Sequence, residues 1–287
     1  MFDLLPIQAY PVLRIVGVMR TTIDSYTARS GRLNLEGIEF DDFKDQPLTP
    51  EALRTLCYMH DIEHHTICYL RDLLLTPAHS DPTITSFLSC WAYEEMWHGE
   101  AIGQVLEAHG EESGAARIAP LREKRRRKQA MSTFSTIGSA AFAGRAFIAL
   151  HMTWGAINEW TTQAGYGRLS EVANHPTLRE LLKRIMKQEG GHIDFYASEA
   201  GRRLGESPKA QKLTRFALRH LWRPVGSGVM PKLEVGFMVK YLFDGPHGND
   251  VARRIDRRVD RLPGQGGLHL LESAVTKLSG HSFAASA

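Results

Sequence analysis

Thr49-Pro50, Asp81-Pro82, His175-Pro176 and Ser207-Pro208 each set a polar residue directly before a proline at the head of a stretch with helical periodicity. Such a pair writes the start of a helix. The polar side chain accepts a hydrogen bond from an orphan N–H of the first turn, and proline fits the first helical position, where an N–H has no partner. Strand signals are scarce between these marks. The first helix runs through LRTLCYMHDIEHHTICYLRDLL and stops before Pro77. The second ends near His109-Gly110, and a polar stretch, EESGAAR, follows it. A third long helix is expected from about residue 130 to Gly165-Tyr166-Gly167. His175-Pro176 opens a fourth, and Ser207-Pro208 opens a shorter one. Beyond Trp222-Arg223-Pro224 the pattern loosens. VGSGVMPKLE reads as loop, and DVARRIDRRVDRL reads as a helix with Val251, Ile255, Val259 and Leu262 on its apolar stripe before GQGG breaks it. The last residues, SFAASA, read as a frayed end.

This punctuation predicts an all-α chain: a ferritin-like four-helix bundle with additional N- and C-terminal helices. It is read as a single domain over 1–287, with its core at about 50–204, an N-terminal extension at 1–49 and a C-terminal helical extension at 205–287. A length of 287 residues suffices for one large helical core. The net charge of +3 gives no general argument for nucleic acid. Three cysteines, Cys57, Cys68 and Cys90, cannot all pair, so a reducing, cytoplasmic location is expected. MFDLLPIQAYPVLRIVGVMR lacks the basic start of a signal peptide and is interrupted by Pro6 and Pro11. The most membrane-like segment, residues 138–157, is interrupted by Arg145 and His151. It falls short of the ~18 uninterrupted apolar residues of a spanning helix, and is read as a buried helix rich in Gly and Ala.

Two Glu-x-x-His pairs occur, Glu95 with His98 and Glu189 with His192. A spacing of three puts both side chains of a pair on one helical face. With 13 histidines in the chain, about one such pair arises by chance, so the arrangement carries more weight than the count. The other two bundle helices each carry a glutamate in apolar or aromatic surroundings, Glu63 in MHDIEHHTICYL and Glu159 in MTWGAINEWTTQ. The order along four helices is Glu, Glu-x-x-His, Glu, Glu-x-x-His. The interval from 95 to 159 is about twice the other two, which leaves room for a crossover. This ligand set binds two irons or manganeses in ferritin-like bundles. Two divalent cations would balance four buried carboxylates with both imidazoles neutral. Geometry alone does not choose between Glu94 and Glu95 as the partner of His98.

WAYEEMWHGEAI resembles the W-x-A-E-E-x-x-H-G signature of soluble acyl-carrier-protein desaturases, with Trp91, Glu94, Glu95, His98 and Gly99 matching. NEWTTQAGYGRL is similar to that family's Q-E-x-x-T stretch through Glu159 and Thr162, and the fourth-helix motif is similar to its D-E-x-x-H. The resemblance covers about residues 50–204. It implies that Glu95 and Glu189 bridge two Fe ions, that Glu63, Glu159, His98 and His192 are terminal ligands, and that Thr162 lies beside the oxygen-binding face. Manganese–iron is the other metal pair compatible with these ligands. The resemblance also implies O2, an acyl carrier protein bearing the substrate, a ferredoxin-type electron donor and a homodimer. Gln188 stands where that family has Asp, so it can accept a hydrogen bond but brings no charge. Gly190-Gly191 should loosen that turn. Ile185 replaces the extra histidine of some N-oxygenases. The competing expectations are a related di-iron hydroxylase or N-oxygenase, and a non-catalytic ferritin-like iron-binding protein.

REKRRRK, residues 122–128, reads either as a solvated face or as a dock for an acidic carrier protein. No nucleic-acid module accompanies it, and neither nucleic acid nor membrane insertion is expected. Trp91, Trp97, Trp154 and Trp160 read mainly as core. Gly138, Ala140, Ala141, Ala143, Gly144 and Ala149 read as allowing close helix packing or leaving room for an acyl chain. His60, His64 and His65 read as surface groups or supports of Glu63 rather than ligands.

Overall fold

A computed structural model describes residues 23–279, apart from the side chains of 125–136, Ser139, Phe142 and Ser279. The stretch weighed as a signal peptide (1–20), the final SFAASA and the side chains of Arg125 to Lys128 lie outside that description. Helix is the regular structure of the described residues, with no strand among them. Four helices form the bundle: α1 (Pro50–Leu74), α2 (Pro82–Ala108), α4 (Ala146–Ala173) and α5 (Pro176–Glu206). Between the second and third of these runs α3 (Gly114–Ala143). The C-terminal part is α6 (Pro208–Leu221), α7 (Lys232–Phe243), α8 (Gly245–Asp260) and α9 (Leu270–Ser279). None of the described helices is long and apolar enough to cross a membrane.

The capping pairs act as their chemistry requires. Thr49 accepts from the Ala52 N–H, Asp81 from Thr83 and Ile84, and Ser207 from Ala210. His175 does the same through Nδ1 for Leu178, and its ring stacks on Phe43 with centroids 4.4 Å apart. Each cap is worth about 1 kcal/mol. Asp81 has a second role: Arg203 of α5 reaches it at 2.6 Å while also binding Glu199, so the start of α2 is tied to the far half of α5.

The third expected helix is corrected. Residues 130–167 do not form one rod; the chain breaks at Gly144-Arg145, and Gly144 has φ 58° and ψ −137°, a backbone state that a side chain disfavours. The polar stretch at 111–117 is helical from Gly114, so the crossover is itself the helix α3. The segment 138–157 is likewise not one buried helix. Gly138, Ala141 and Arg145 are exposed, and most residues are buried only from Phe147 on. The expected loop 225–234 gives way to helix at Lys232, and Val251, Ile255, Val259 and Leu262 are buried as their spacing predicts.

α1 packs on α2, and α4 on α5; the pairs meet where α2 touches α5 and α1 touches α4. The N-terminal segment lies over the α2–α5 side. Arg184 of α5 donates to the carbonyls of Asn34 (2.9 Å) and Glu36 (2.8 Å), and Tyr26 packs on Phe87 and Phe195, themselves stacked at 3.9 Å. α7 covers the α1–α4 side, and α6 and α8 pack on α4.

Two helical glycines should respond oppositely to alanine. A Cβ at Gly155 would lie 2.3 Å from the buried Tyr196 ring, whereas one at Gly190 meets nothing within 4 Å. Gly155→Ala should destabilise by about 1–3 kcal/mol, and Gly190→Ala should stabilise by about 0.5–1 kcal/mol. Urea unfolding of both variants checks this; the same sign for both would contradict the packing described.

Candidate metal centre

Each bundle helix turns one acidic face inward. Glu63 comes from α1, Glu95 and His98 from α2, Glu159 from α4, and Glu189 and His192 from α5, and all six are buried. They form two overlapping groups. In one, ligand atoms of Glu63, Glu95, His98 and Glu189 lie within 4.8 Å of one another; in the other, so do those of Glu95, Glu159, Glu189 and His192. Glu95 and Glu189 belong to both. Either group is disposed to hold a metal ion.

Both imidazoles turn Nδ1 toward the carboxylates. His98 Nδ1 is 3.3 Å from Glu189 and 3.7 Å from Glu95; His192 Nδ1 is 2.9 Å from Glu189, 3.2 Å from Glu95 and 3.9 Å from Glu159. The opposite nitrogens are held from outside. His192 Nε2–H donates to Glu94 Oε2 at 2.8 Å, and His98 Nε2–H to Gln188 Oε1 at 3.1 Å. Such outer contacts fix ring orientation and tautomer. They settle the geometric choice between the adjacent glutamates: Glu95 faces the cluster, while Glu94 faces outward to His192, the Tyr26 hydroxyl (2.7 Å) and the Gly31 N–H (3.2 Å). Gln188 accepts from His98 and donates to the Gly31 carbonyl at 3.0 Å.

The terminal carboxylates are also held. Trp91 Nε1–H donates to Glu159 at 3.0 Å, and the Tyr166 hydroxyl donates to Glu63. Thr162 lies on α4 between Glu159 and Tyr166 and lines a cavity of about 550 Å³ together with Glu63, Glu95 and Glu159. His60 is not a surface group. It is fully buried, bonded to Asp61 and to the Gly114 N–H, and Arg117 closes that tie between α1 and α3. His64 packs against His60 with its ring tilted by 57°, and His65 lines the cavity. Trp91 and Trp160 are buried, and Trp97 and Trp154 are half-buried.

Tyr26, Tyr166 and Tyr196 were not singled out in the sequence. Tyr166 and Tyr196 carry a helical signal, since they follow Thr162 and His192 by four residues and therefore share their faces. Tyr26 has no such mark; only the folded N-terminal segment brings it to Glu94.

Burial, then the neighbouring carboxylates, push Glu63 and Glu159 well above the ordinary carboxyl range. Burial pushes Glu95 and Glu189 the same way, but hydrogen bonds and the nearby imidazoles outweigh it and hold both low. Burial opposes a charge on His98, yet its bonds to Glu189 and Glu95 lift it to about 9; His192 is lifted likewise. Protons on Glu63, Glu159, His98 and His192 thus neutralise the cluster, and an arriving cation must displace them. Cobalt(II) titration should release protons, and affinity should rise by at least about tenfold from pH 6 to pH 8, because deprotonated ligands become available as pH rises. Uptake independent of pH, with no proton release, would contradict this arrangement.

The chain matches no protein-family model and no curated protein.

Proposed function

We propose that this chain is an O2-dependent di-iron oxidase acting on an acyl chain delivered by an acyl carrier protein. The observation that carries the reading is the pair of overlapping ligand groups sharing Glu95 and Glu189 beside a cavity of about 550 Å³. The residues fit such a centre. Four carboxylates and two imidazoles suit iron or manganese, and His98 Nδ1 and Glu189 Oε1, paired at 3.3 Å and fully buried, both face the cluster. In this reading Glu63, Glu95, His98 and Glu189 would hold one metal ion and Glu95, Glu159, Glu189 and His192 a second. Reduced iron held there would supply the O2-activating oxidation chemistry.

The chain's own residues position and shield. Glu94 and Gln188 keep the imidazoles turned inward, and Trp91 and Tyr166 keep Glu159 and Glu63 from swinging away. Tyr69, Trp91, Trp154 and Tyr196 wall the cavity and limit water around the substrate. Thr162 lines the same cavity, and its Oγ1 would hold or pass a proton there. A ferredoxin-type donor and a homodimer belong to the same proposal.

A related hydroxylase is the second reading that the same ligand set supports. Mass spectrometry of products from iron-loaded protein, O2, a chemical reductant and carrier-bound acyl substrates separates the readings. Loss of two hydrogens supports desaturation, gain of an oxygen atom supports the hydroxylase, and no turnover on any acyl substrate overturns the acyl reading. Thr162→Val should lower turnover by about tenfold or more with iron content unchanged; equal turnover removes Thr162 from the chemistry.

A further inference from the structure

A second concave site lies away from the carboxylate cluster, between α8 and the outer faces of α4 and α5. It is a groove of about 540 Å³, a size typical of small-ligand sites. Arg254, Arg257, Arg258 and Arg261 line one side, and Trp160 contributes to the other. These arginines are spaced i, i+3, i+4 and i+7, so they form one stripe along α8 and its C-terminal end. All four are exposed. Arg258 lies 6.0 Å from the Trp160 ring centroid.

The charge of this stripe is not balanced locally. None of the four arginines has a side-chain hydrogen bond or ion pair among the described residues. The acids of α8 are engaged elsewhere. Asp250 pairs with Arg253 at 2.6 Å, Asp256 caps α9 through the Leu271 and Glu272 N–H groups, and Asp260 accepts from Gly267. Glu171, which also lines the groove, is already bound by Arg168 and His247. Like charges at these spacings repel one another and weaken a helix. The helix dipole offsets this only near the C-terminus. Their apolar neighbours Val251, Ile255 and Val259 are buried, so the helix is held by its other face and the arginines are left for solvent or a ligand.

We propose that this groove binds a small ligand carrying two or more linked phosphoryl groups, recognised by Arg254, Arg257, Arg258 and Arg261 beside the Trp160 indole. Guanidinium forks match phosphoryl oxygens in pairs. Along the helix the stripe spans about 10 Å, at 1.5 Å per residue, which is longer than one phosphoryl group and suits a linked pair. The site needs no metal and stands independently of the oxidase reading.

Calorimetric titration of the full chain with inorganic pyrophosphate, inorganic phosphate and ADP tests this, both as purified and after chelator treatment, so that uptake by bound metal is recognised. Pyrophosphate should bind at least about tenfold more tightly than phosphate, equally in both preparations, and Arg254→Gln with Arg257→Gln should weaken it by about tenfold or more. ADP binding like pyrophosphate supports recognition of the linked phosphoryl groups alone; tighter ADP binding supports a nucleotide source. Equal affinity for phosphate and pyrophosphate, binding that disappears with the chelator, or an unaffected double variant overturns the proposal. If Arg122→Gln with Lys124→Gln abolishes binding instead, the anion site lies on α3 and the groove is excluded.

Discussion

Burial of six ionisable side chains at the middle of the bundle is the constraint around which the rest of the structure is arranged. An isolated carboxylate or imidazolium in such a place costs several kcal/mol. The cluster is tolerable only if the charges cancel within it, by protons or by cations, and only if each oxygen and nitrogen is aimed. Every bundle helix contributes, so α1, α2, α4 and α5 must hold their registers together. Small shifts of one helix would separate the two groups that share Glu95 and Glu189.

The parts outside the bundle secure that register. The N-terminal segment reaches the outer side of both imidazoles through Tyr26, Gly31, Glu94 and Gln188. Its order and that of the clustered carboxylates and imidazoles are therefore coupled. The two imidazoles are supported unequally, one by a carboxylate and one by an amide. A carboxylate raises the basicity of the ring that donates to it more than an amide does, so the two imidazoles differ electronically. On the other side, Tyr166 bonds Glu63, and α7 packs over α1 and α4.

Much of the helical order was legible because it is local chemistry. A capping residue followed by proline marks a helix start with few alternatives, and the starts at Pro50, Pro82, Pro176 and Pro208 fall as expected. The convergence of Glu63, Glu95, His98, Glu159, Glu189 and His192 was legible from spacing on successive helices. Room for a crossover was legible in the long interval from 95 to 159, but its helical form and its end at Gly144 were not, because that break rests on a positive φ in a sequence whose Gly and Ala content reads as continuous helix. Nor was the link from Tyr26 to Glu94, since 68 residues separate them and only tertiary packing joins them. Orientation decided what spacing could not: Glu94 and Glu95 are adjacent, yet one faces the cluster and the other its support.

The most direct test of the central claim is metal content per chain after anaerobic iron reconstitution, on the wild type and on a Glu95→Ala, His192→Ala double variant whose folding is checked by circular dichroism. About two irons per wild-type chain, lost in a folded double variant, is the predicted result. No iron in the wild type, or equal iron in both proteins, would contradict it.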